Sequence, residues 1–283
     1  MWLIDVETRR LAEFIGLEVP PYAILSHTWV SGQEVTFQEL RSPAIPDPTA
    51  SSKSGWEKID RTCRQAARDG LKYAWVDTCC IDKSSSAELS EAINSMFRWY
   101  KRAAVCYVFL SDLSHFSWSE DAGGLQVCIE HLRWFSRSWT LQELIAPMHI
   151  KFYDQDWKFC FTKEMASEAL ARITGIDVDI LNHNTDLSTV SVAQKMSWAA
   201  RRQSTRIEDL AYSLLGIFGI NMPLLYGEEE RAFLRLQAEI ISSYPDPTIL
   251  AWMLQPETSE HILEHPEDSY RFEEALMTEP WNK

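Results

Sequence analysis

The 283-residue chain has few basic residues for its size. It carries 27 lysines and arginines against 41 aspartates and glutamates, which gives a formal net charge of −14. A protein that holds nucleic acid or an anionic membrane by charge needs clustered cations. The nearest approach to such a cluster is Arg201, Arg202 and Arg206, which we expect to be solvated or paired with carboxylates. Nucleic acid is therefore not an expected partner.

Several catalytic motifs are also missing. The chain has no GxxxxGK[ST] loop, no GxGxxG after a strand, no GxSxG elbow and no HExxH, so nucleotide hydrolysis and dehydrogenase chemistry of those kinds lack support. The six cysteines form no CxxC pair, and we expect reduced thiols in the core. Cys128 and His131 have a metal-like spacing, but two ligands alone favour packing. No metal is expected.

Long hydrophobic runs are rare as well. Residues 210–227 form an uncharged stretch of 18 residues, but glycine, asparagine and proline interrupt it and its apolar residues fall on one side. This pattern predicts a buried helix followed by a turn rather than a membrane span. Asp5 and Glu7 argue against a secretory signal. We therefore expect a cytoplasmic protein without a membrane span.

Four short apolar or aromatic runs predict β-strands, at residues 22–26, 73–76, 104–110 and 149–153. The first three show little alternation, which is typical of strands buried on both faces of a parallel sheet. Helical patterns run from Trp56 to Gly70 and from Leu89 to Tyr100, the second preceded by a capping box at Ser85 and Glu88. The alternation predicts an α/β fold, with a parallel sheet flanked by helices.

The character of the chain changes after about residue 160. Helices are expected at 162–174, 190–202, 206–218 and 228–243, with no strand of comparable strength. We therefore divide the chain into an α/β core (1–160), a helical extension packed on the core (161–245) and a C-terminal tail (246–283), loosely held beyond Pro256. Proline and serine in residues 42–54 predict an exposed loop.

Polar residues follow the first three predicted strands. Ser26, His27 and Trp29 follow the first, Asp77 follows the second, and Ser111-Asp112 follows the third. In open parallel sheets, ligands bind beyond the carboxyl ends of the strands, near the point where the strand order reverses. We expect these side chains to converge there.

Residues 136–145 predict a helix with two different faces. One face is expected to pack on the core: Leu141, Leu144, Ile145 and Met148. The other face need not be buried and carries Trp139, Gln142, Glu143 and Ala146. Periodicity alone leaves Glu143 either at a site or in solvent, where it would interact with the helix dipole.

Four blocks of the sequence, in order, resemble the signature of the fungal heterokaryon-incompatibility (HET) domain: 22–29 (YAILSHTW), 75–82 (WVDTCCID), 137–143 (RSWTLQE) and 196–216 (MSWAARRQSTRIEDLAYSLLG). The resemblance covers about Tyr22 to Ile241. One departure is Val30-Ser31-Gly32, where the family often has glycine directly after Trp29. The resemblance implies a role in cell death during non-self recognition between fused fungal cells.

HET domains are in turn similar to TIR domains, which have a flavodoxin-like sheet of strand order 2-1-3-4-5. Residues 138–144 resemble the TIR block that carries the glutamate needed to cleave NAD at the nicotinamide–ribose bond, with Thr140 in place of cysteine. The resemblance therefore implies that Glu143 is catalytic and that NAD or NADP is a substrate rather than a cofactor. The implied substrate-binding residues are Ser26, His27, Trp29, Asp77, Arg137 and Trp139.

Two alternatives remain open at this point. The first is a non-enzymatic module that signals by self-association, with the same motifs serving the fold. The second is a cysteine nucleophile, Cys79 or Cys80, served by His27. The family resemblance also implies assembly into a homo-oligomer on activation and an upstream sensor protein.

Overall fold

The computed structural model describes residues 1–16, 18–42, 48–114, 122–249 and 270–271. Seven strands form the main sheet: β1 Trp2–Asp5, β2 Leu11–Glu13, β3 Tyr22–His27, β4 Tyr73–Trp75, β5 Val105–Phe109, β6 Ile150–Tyr153 and β7 Phe159–Thr162. Helices of the first 149 residues are α1 Phe37–Leu40, α2 Pro48–Ser51, α3 Ser54–Arg68, α4 Ser86–Arg102, α5 Ala122–Ile129, α6 Arg133–Ser136 and α7 Thr140–Ile145. The α/β prediction is confirmed.

The sheet runs in the order β2-β1-β4-β3-β5-β6-β7. The four predicted strands, β3, β4, β5 and β6, are parallel neighbours in the order 2-1-3-4 of their sequence. Antiparallel strands flank them, with the β1–β2 hairpin beside β4 and β7 beside β6. The implied order 2-1-3-4-5 is therefore correct for four strands, but its fifth place is taken by an antiparallel strand.

The central strands β3 and β5 are buried along their whole length, which explains their lack of alternation. The β1–β2 hairpin was not predicted, because its strands are short and acids interrupt them. Asp5 closes its turn by accepting the backbone N–H groups of Glu7 and Thr8, and Arg9 adopts a positive φ of 60°.

The predicted helices of the core are present as α3 and α4. Gly70 follows α3 with a φ of 78°, a left-handed conformation that favours glycine. The capping box at α4 is half formed: Ser85 accepts the N–H of Glu88, whereas the Glu88 carboxylate accepts the N–H of Asp82. The loop expected at 42–54 is wrong in its second part, where α2 and the start of α3 lie and Ala50 is buried, although Ser51, Ser52 and Ser54 are exposed as predicted. Residues 43–47 lie outside the described residues.

Beyond the sheet, the helices are α8 Ser167–Thr174, α9 Val178–Leu181, α10 Val192–Ala199, α11 Glu208–Tyr212, α12 Leu215–Phe218 and α13 Arg231–Ser243, with a 3-10 turn at Leu187–Thr189. The predicted helix 162–174 begins only at Ser167, because Thr162 pairs with Lys151 in the sheet. The predicted helix 206–218 is divided into α11 and α12. No helix among the described residues is long and apolar enough to cross a membrane.

The segment between α10 and α11 is extended rather than helical. Gln203–Ser204 forms strand β8, which pairs with β9 at Tyr270–Arg271. The expectation of a loosely held tail beyond Pro256 otherwise falls outside the described residues. The predicted boundaries of core, extension and tail stay predictions.

The helices after β7 pack closely on the first part of the chain. At Gly216 of α12, a Cβ atom would lie 2.0 Å from the Cβ of Phe97 on α4, so only glycine permits this approach. Segment 203–226, which includes α11 and α12, thus lies beside the carboxyl ends of β3 and β4.

Candidate active site

A cavity of about 350 Å³ lies at the carboxyl ends of β3 and β4, at the lower end of the range for small-molecule sites. Loops after both strands, helices α4 and α7 and segment 203–226 line it. Its polar and aromatic lining includes His27, Trp29, Asp77, Lys83, Arg137, Trp139, Glu143, Arg206, Asp209 and Tyr226. Six of the seven predicted site residues therefore line one cavity, and the seventh, Ser26, lies against Glu143.

Helix α7 carries Glu143, and the helix is covered on all sides. It packs among β3, α4, α6 and α9, so Gln142, Glu143 and Ala146 are buried although they were placed on the less buried face. Met148, which was expected in the core, is 48% exposed. The two-face prediction is wrong because the extension covers the side that an isolated core would leave in solvent. With 7% exposure, Glu143 is not a solvent-facing acid.

A chain of hydrogen bonds fixes the Glu143 carboxyl. The Ser26 hydroxyl, at the end of β3, donates to Glu143 Oε2. Trp134 Nε1 donates to Ser26 Oγ at 2.7 Å. This role of Trp134 could not be predicted, because an indole in the run 132–135 is indistinguishable by sequence from a core residue.

The surroundings of Glu143 change its acidity. Burial raises the pKa of its carboxyl from an ordinary 4.5 to about 8, and the negative charge of Asp77 acts in the same direction. The hydrogen bond from Ser26 and the positive charge of Arg137 oppose this rise. At pH 7 the carboxyl is therefore mostly protonated, and a positive charge placed beside it would favour the ionised form.

Asp77 is the ionised carboxylate of the cavity. His27 Nε2 donates to its Oδ1 at 2.9 Å, and Trp29 Nε1 donates to its Oδ2 at 2.9 Å. Burial acts to raise the pKa of Asp77, but the hydrogen bond and charge of His27, with the charges of Lys83 and Arg137, lower it to about 2. The carboxylate therefore orients both rings.

The loop after Trp29 accommodates the displaced glycine of the family pattern. Gly32 has a φ of 71°, and the N–H of Gln33 donates to Val30 O at 3.0 Å, closing a turn. The N–H of Val30 donates to Glu34 Oε1 at 2.8 Å. The glycine thus forms a turn three residues after Trp29.

Several residues of the cavity were not predicted to belong to it. Lys83 Nζ lies 3.8 Å from the centre of the Trp29 ring, and Arg206 Cζ lies 4.6 Å from that of Tyr226. Asp209 accepts the Tyr226 hydroxyl at 2.9 Å, and burial raises the pKa of this carboxyl. No sequence signal connected these residues, because their contribution depends on tertiary packing.

Arg202 contradicts the expectation of a solvated or carboxylate-paired basic cluster. It is 3% exposed, and its Nη1 donates to Arg137 O at 2.8 Å and to Thr140 Oγ1 at 2.9 Å. Thr140 Oγ1 in turn donates to Trp134 O at 2.5 Å. Burial lowers the pKa of Arg202 to about 9. Arg202 thus anchors the turn before Glu143, whose helix has no side-chain N-cap.

Extended backbone joins this turn to the extension as well. The N–H of Ser138 donates to Gln203 O at 2.7 Å, and Arg137 forms a parallel bridge with Gln203. Ser111 and Asp112, which were expected to converge on the site, do not line the cavity. Asp112 instead accepts the N–H of Arg133 at the start of α6.

The cysteines do not form a nucleophilic site. Cys79 and Cys80 are buried and do not line the cavity, and burial raises the pKa of Cys79 well above its ordinary value. Because the thiolate is the nucleophile, the hypothesis of a cysteine nucleophile has no structural support. Cys128 is exposed and His131 has an 83% exposed side chain, so their expected packing is wrong. The described residues contain no group of three or more possible metal ligands.

Comparisons with known proteins agree with the signature blocks. Residues 22–123 match the family described as heterokaryon incompatibility protein (HET). Over 239 residues, or 83% of this chain, the sequence is 46% identical to vegetative incompatibility protein HET-E-1 of Podospora anserina, and it spans 17% of that protein's length. No solved structure matches the chain significantly. The chain therefore belongs to the HET family.

Proposed function

We propose that this chain is a cell-death effector domain in fungal non-self recognition, and that it cleaves NAD or NADP at the nicotinamide–ribose bond. The observation that carries the proposal is the buried Glu143 carboxyl in the wall of a cavity rich in aromatic side chains. The resemblance of residues 138–144 to the catalytic TIR block supports the reaction, and the similarity to HET-E-1, a vegetative incompatibility protein, supports the biological role.

The chemistry needs a negative charge close to the ribose. Breaking the bond creates an oxocarbenium-like cation, while nicotinamide leaves as a neutral molecule from a ring that was already cationic. No general acid is required, and an ionised Glu143 would stabilise the developing cation as a carboxylate does in glycosidases. Preorganised charges of this kind lower barriers by about 3 kcal/mol or more.

The surrounding residues supply that preorganisation. Ser26 holds one Glu143 oxygen, so the carboxyl does not need to reorient during the reaction. The cationic nicotinamide ring and Arg137 favour the ionised form of Glu143, whereas burial opposes it. Trp139 offers an aromatic ring on which a ring of the substrate can stack, while the Trp29 ring lies against Lys83.

The test is to incubate the purified protein with NAD or NADP and to measure the released nicotinamide by chromatography. We expect Glu143→Gln to lower the rate by about 100-fold or more, because glutamine keeps the shape and loses the charge. Glu239→Gln, on the exposed side of α13, is the matched control and should leave the rate unchanged. Equal rates in the wild type and Glu143→Gln would refute the catalytic role.

Activation is expected to depend on clustering. The chain corresponds to 17% of the length of HET-E-1, and we propose that a sensor, in the same or another polypeptide, gathers copies of the domain and raises their local concentration. Fusion to an inducible dimeriser should accelerate NAD loss. If the clustered protein kills cells without consuming NAD, it acts instead as a non-enzymatic self-association module.

A further inference from the structure

Three cations that line the candidate cavity have no ion-pair partner in the part of the chain that the structure describes. Lys83, Arg137 and Arg206, which we call the cationic rim, form no salt bridge within 4.0 Å among the described residues. Nearby lysines behave differently, since Lys53 and Lys58 each hold a glutamate carboxylate within 2.6 Å. The rim cations therefore keep donor groups available for a ligand.

Each of these cations lies beside an aromatic ring, and its carboxylate neighbours, Asp77 for Lys83 and Arg137 and Asp209 for Arg206, interact with it through charge but not through an ion pair within 4.0 Å. Lys83 Nζ and Arg137 Cζ lie 3.8 and 6.0 Å from the centre of the Trp29 ring, and Arg206 lies over Tyr226. Cation–π contacts fix the position of a positive charge without occupying its hydrogen-bond donors. A phosphate that arrives at the rim thus displaces no internal ion pair.

The cavity is electrically polarised between its opening and its buried end. Lys83 and Arg206 are exposed, so they lie where the cavity meets solvent, and Arg137 is half-buried. Glu143 is buried in the wall of the cavity, close enough to Asp77 for their charges to interact. The exposed part of the cavity wall carries the cations, with Asp209 beside Arg206, so a ligand with a positive end and a negative end is favoured in one orientation.

We propose that the cationic rim binds the diphosphate group of a dinucleotide and thereby directs its cationic nicotinamide end towards Glu143 and Asp77. This inference rests on the proposed function and adds the residues that orient the substrate. The oxidised dinucleotide carries the required charge separation, because its nicotinamide ring is positive and its diphosphate is negative. The reduced form has a neutral ring and lacks the attraction to Asp77.

The overall charge of the chain makes the rim more selective. A net charge of −14 repels anions at long range, whereas three cations around one cavity attract them locally. Charge-assisted hydrogen bonds from lysine and arginine to phosphate are strong and short-ranged. Binding should therefore need an anion that reaches the rim itself, and it should weaken as salt is added.

The experiment separates the two halves of the ligand. ADP-ribose, which has the diphosphate but no nicotinamide, and nicotinamide riboside, which has the ring but no phosphate, are titrated into the full chain by calorimetry. Lys83→Met and Arg206→Met remove a charge each while keeping an apolar stem on the neighbouring ring. We expect each to weaken ADP-ribose binding about tenfold and to change nicotinamide riboside binding less than twofold.

Lys158→Met is the matched control, because Lys158 is an exposed lysine outside the cavity; its ADP-ribose affinity should stay unchanged. Urea denaturation checks that all three variants are folded. The inference is overturned if ADP-ribose does not bind, or if the rim variants bind it with the affinity of the wild type. It is also overturned if the variants weaken the binding of ADP-ribose and of nicotinamide riboside equally. Rim-dependent binding of ADP-ribose without any nicotinamide release would refute the proposed function alone, and normal release with unchanged KM for NAD in both variants would refute the rim alone.

Discussion

Replacing Glu143 by glutamine should remove a pH dependence of folding that the buried carboxyl creates. The pKa of Glu143 is about 8 in the folded protein, against an ordinary 4.5, mainly because burial disfavours its charged form. Between these two values the folded chain keeps a proton that the unfolded chain has lost. The free energy of unfolding of the wild type therefore falls as the pH rises through this window, by the linkage relation.

The magnitude follows from the two pKa values. One unit corresponds to about 1.36 kcal/mol, so the full shift from 4.5 to about 8 amounts to about 5 kcal/mol. Between pH 5.5 and pH 7.5, the same two values give a loss of about 2–3 kcal/mol. This is a large share of the 5–15 kcal/mol that stabilises an ordinary domain. Glutamine cannot ionise, so the free energy of unfolding of the variant does not fall with pH for this reason.

The assay is urea denaturation of both proteins at pH 5.5, 6.5 and 7.5. Asp77, whose charge interacts with Glu143, stays ionised across this range because its pKa is about 2, so the difference in free energy of unfolding reports on Glu143. That difference should grow in favour of Glu143→Gln by about 2–3 kcal/mol across the range. The free energy of unfolding of Glu239→Gln should change with pH as that of the wild type does. A difference between Glu143→Gln and the wild type that stays constant with pH would show that the carboxyl is not desolvated, and the reasoning would fail.

Three further substitutions test the packing around the site. Ser26→Ala leaves the buried Trp134 N–H without an acceptor and should lower the free energy of unfolding by about 1–3 kcal/mol; an unchanged urea midpoint would contradict this. Arg202→Met removes the donors that anchor the turn before Glu143, and it should slow nicotinamide release more than Arg201→Met, at an exposed neighbour. Gly216→Ala places a methyl group 2.0 Å from a Phe97 carbon and should cost about 1–3 kcal/mol, seen as a lower Tm; equal melting of variant and wild type would show that α4 and α12 are less tightly packed.

The strands of the sheet could be predicted because burial leaves a direct trace in the sequence. β3 and β5 are covered on both faces, and uninterrupted apolar runs are typical of that environment. The site residues at the carboxyl ends of β3 and β4 could also be predicted, since the carboxyl ends of parallel strands lie at one edge of the sheet. Topology therefore brought Ser26, His27 and Asp77 together without any knowledge of side-chain contacts.

The orientation of α7 and the contribution of the extension could not be predicted in this way. The assignment of a buried and an exposed face to a helix assumes that one side meets solvent, but α7 is covered on both sides. Periodicity therefore predicted Met148 as buried and Gln142 on the less buried face, whereas Met148 is exposed and Gln142 is buried. The prediction that Arg202 is solvated or paired with a carboxylate fails because charge alone does not indicate burial, and the acceptors of Arg202 lie more than 60 residues earlier in the chain. Hydrogen bonds between residues this far apart depend on tertiary packing, and the local pattern of a single sequence does not reveal them.

The raised pKa of Glu143 also predicts that substrate binding is coupled to proton release. With a pKa of about 8, the carboxyl is about 90% protonated at pH 7. A cationic nicotinamide ring beside it favours the ionised form, so binding should expel close to one proton. Calorimetry with a carbocyclic, uncleavable analogue of NAD, in buffers of different ionisation enthalpy, measures this number directly.

The reduced dinucleotide and Glu143→Gln are the controls for that measurement. The reduced form has a neutral ring and should release far fewer protons, and the glutamine variant has no proton to release at this position. If the uncleavable analogue binds to the wild type with the same heat in every buffer, its positive ring does not lie beside Glu143. The carboxyl would then be a buried structural group, because a residue that stabilises a ribose cation must also respond to the charge of the ring that leaves it.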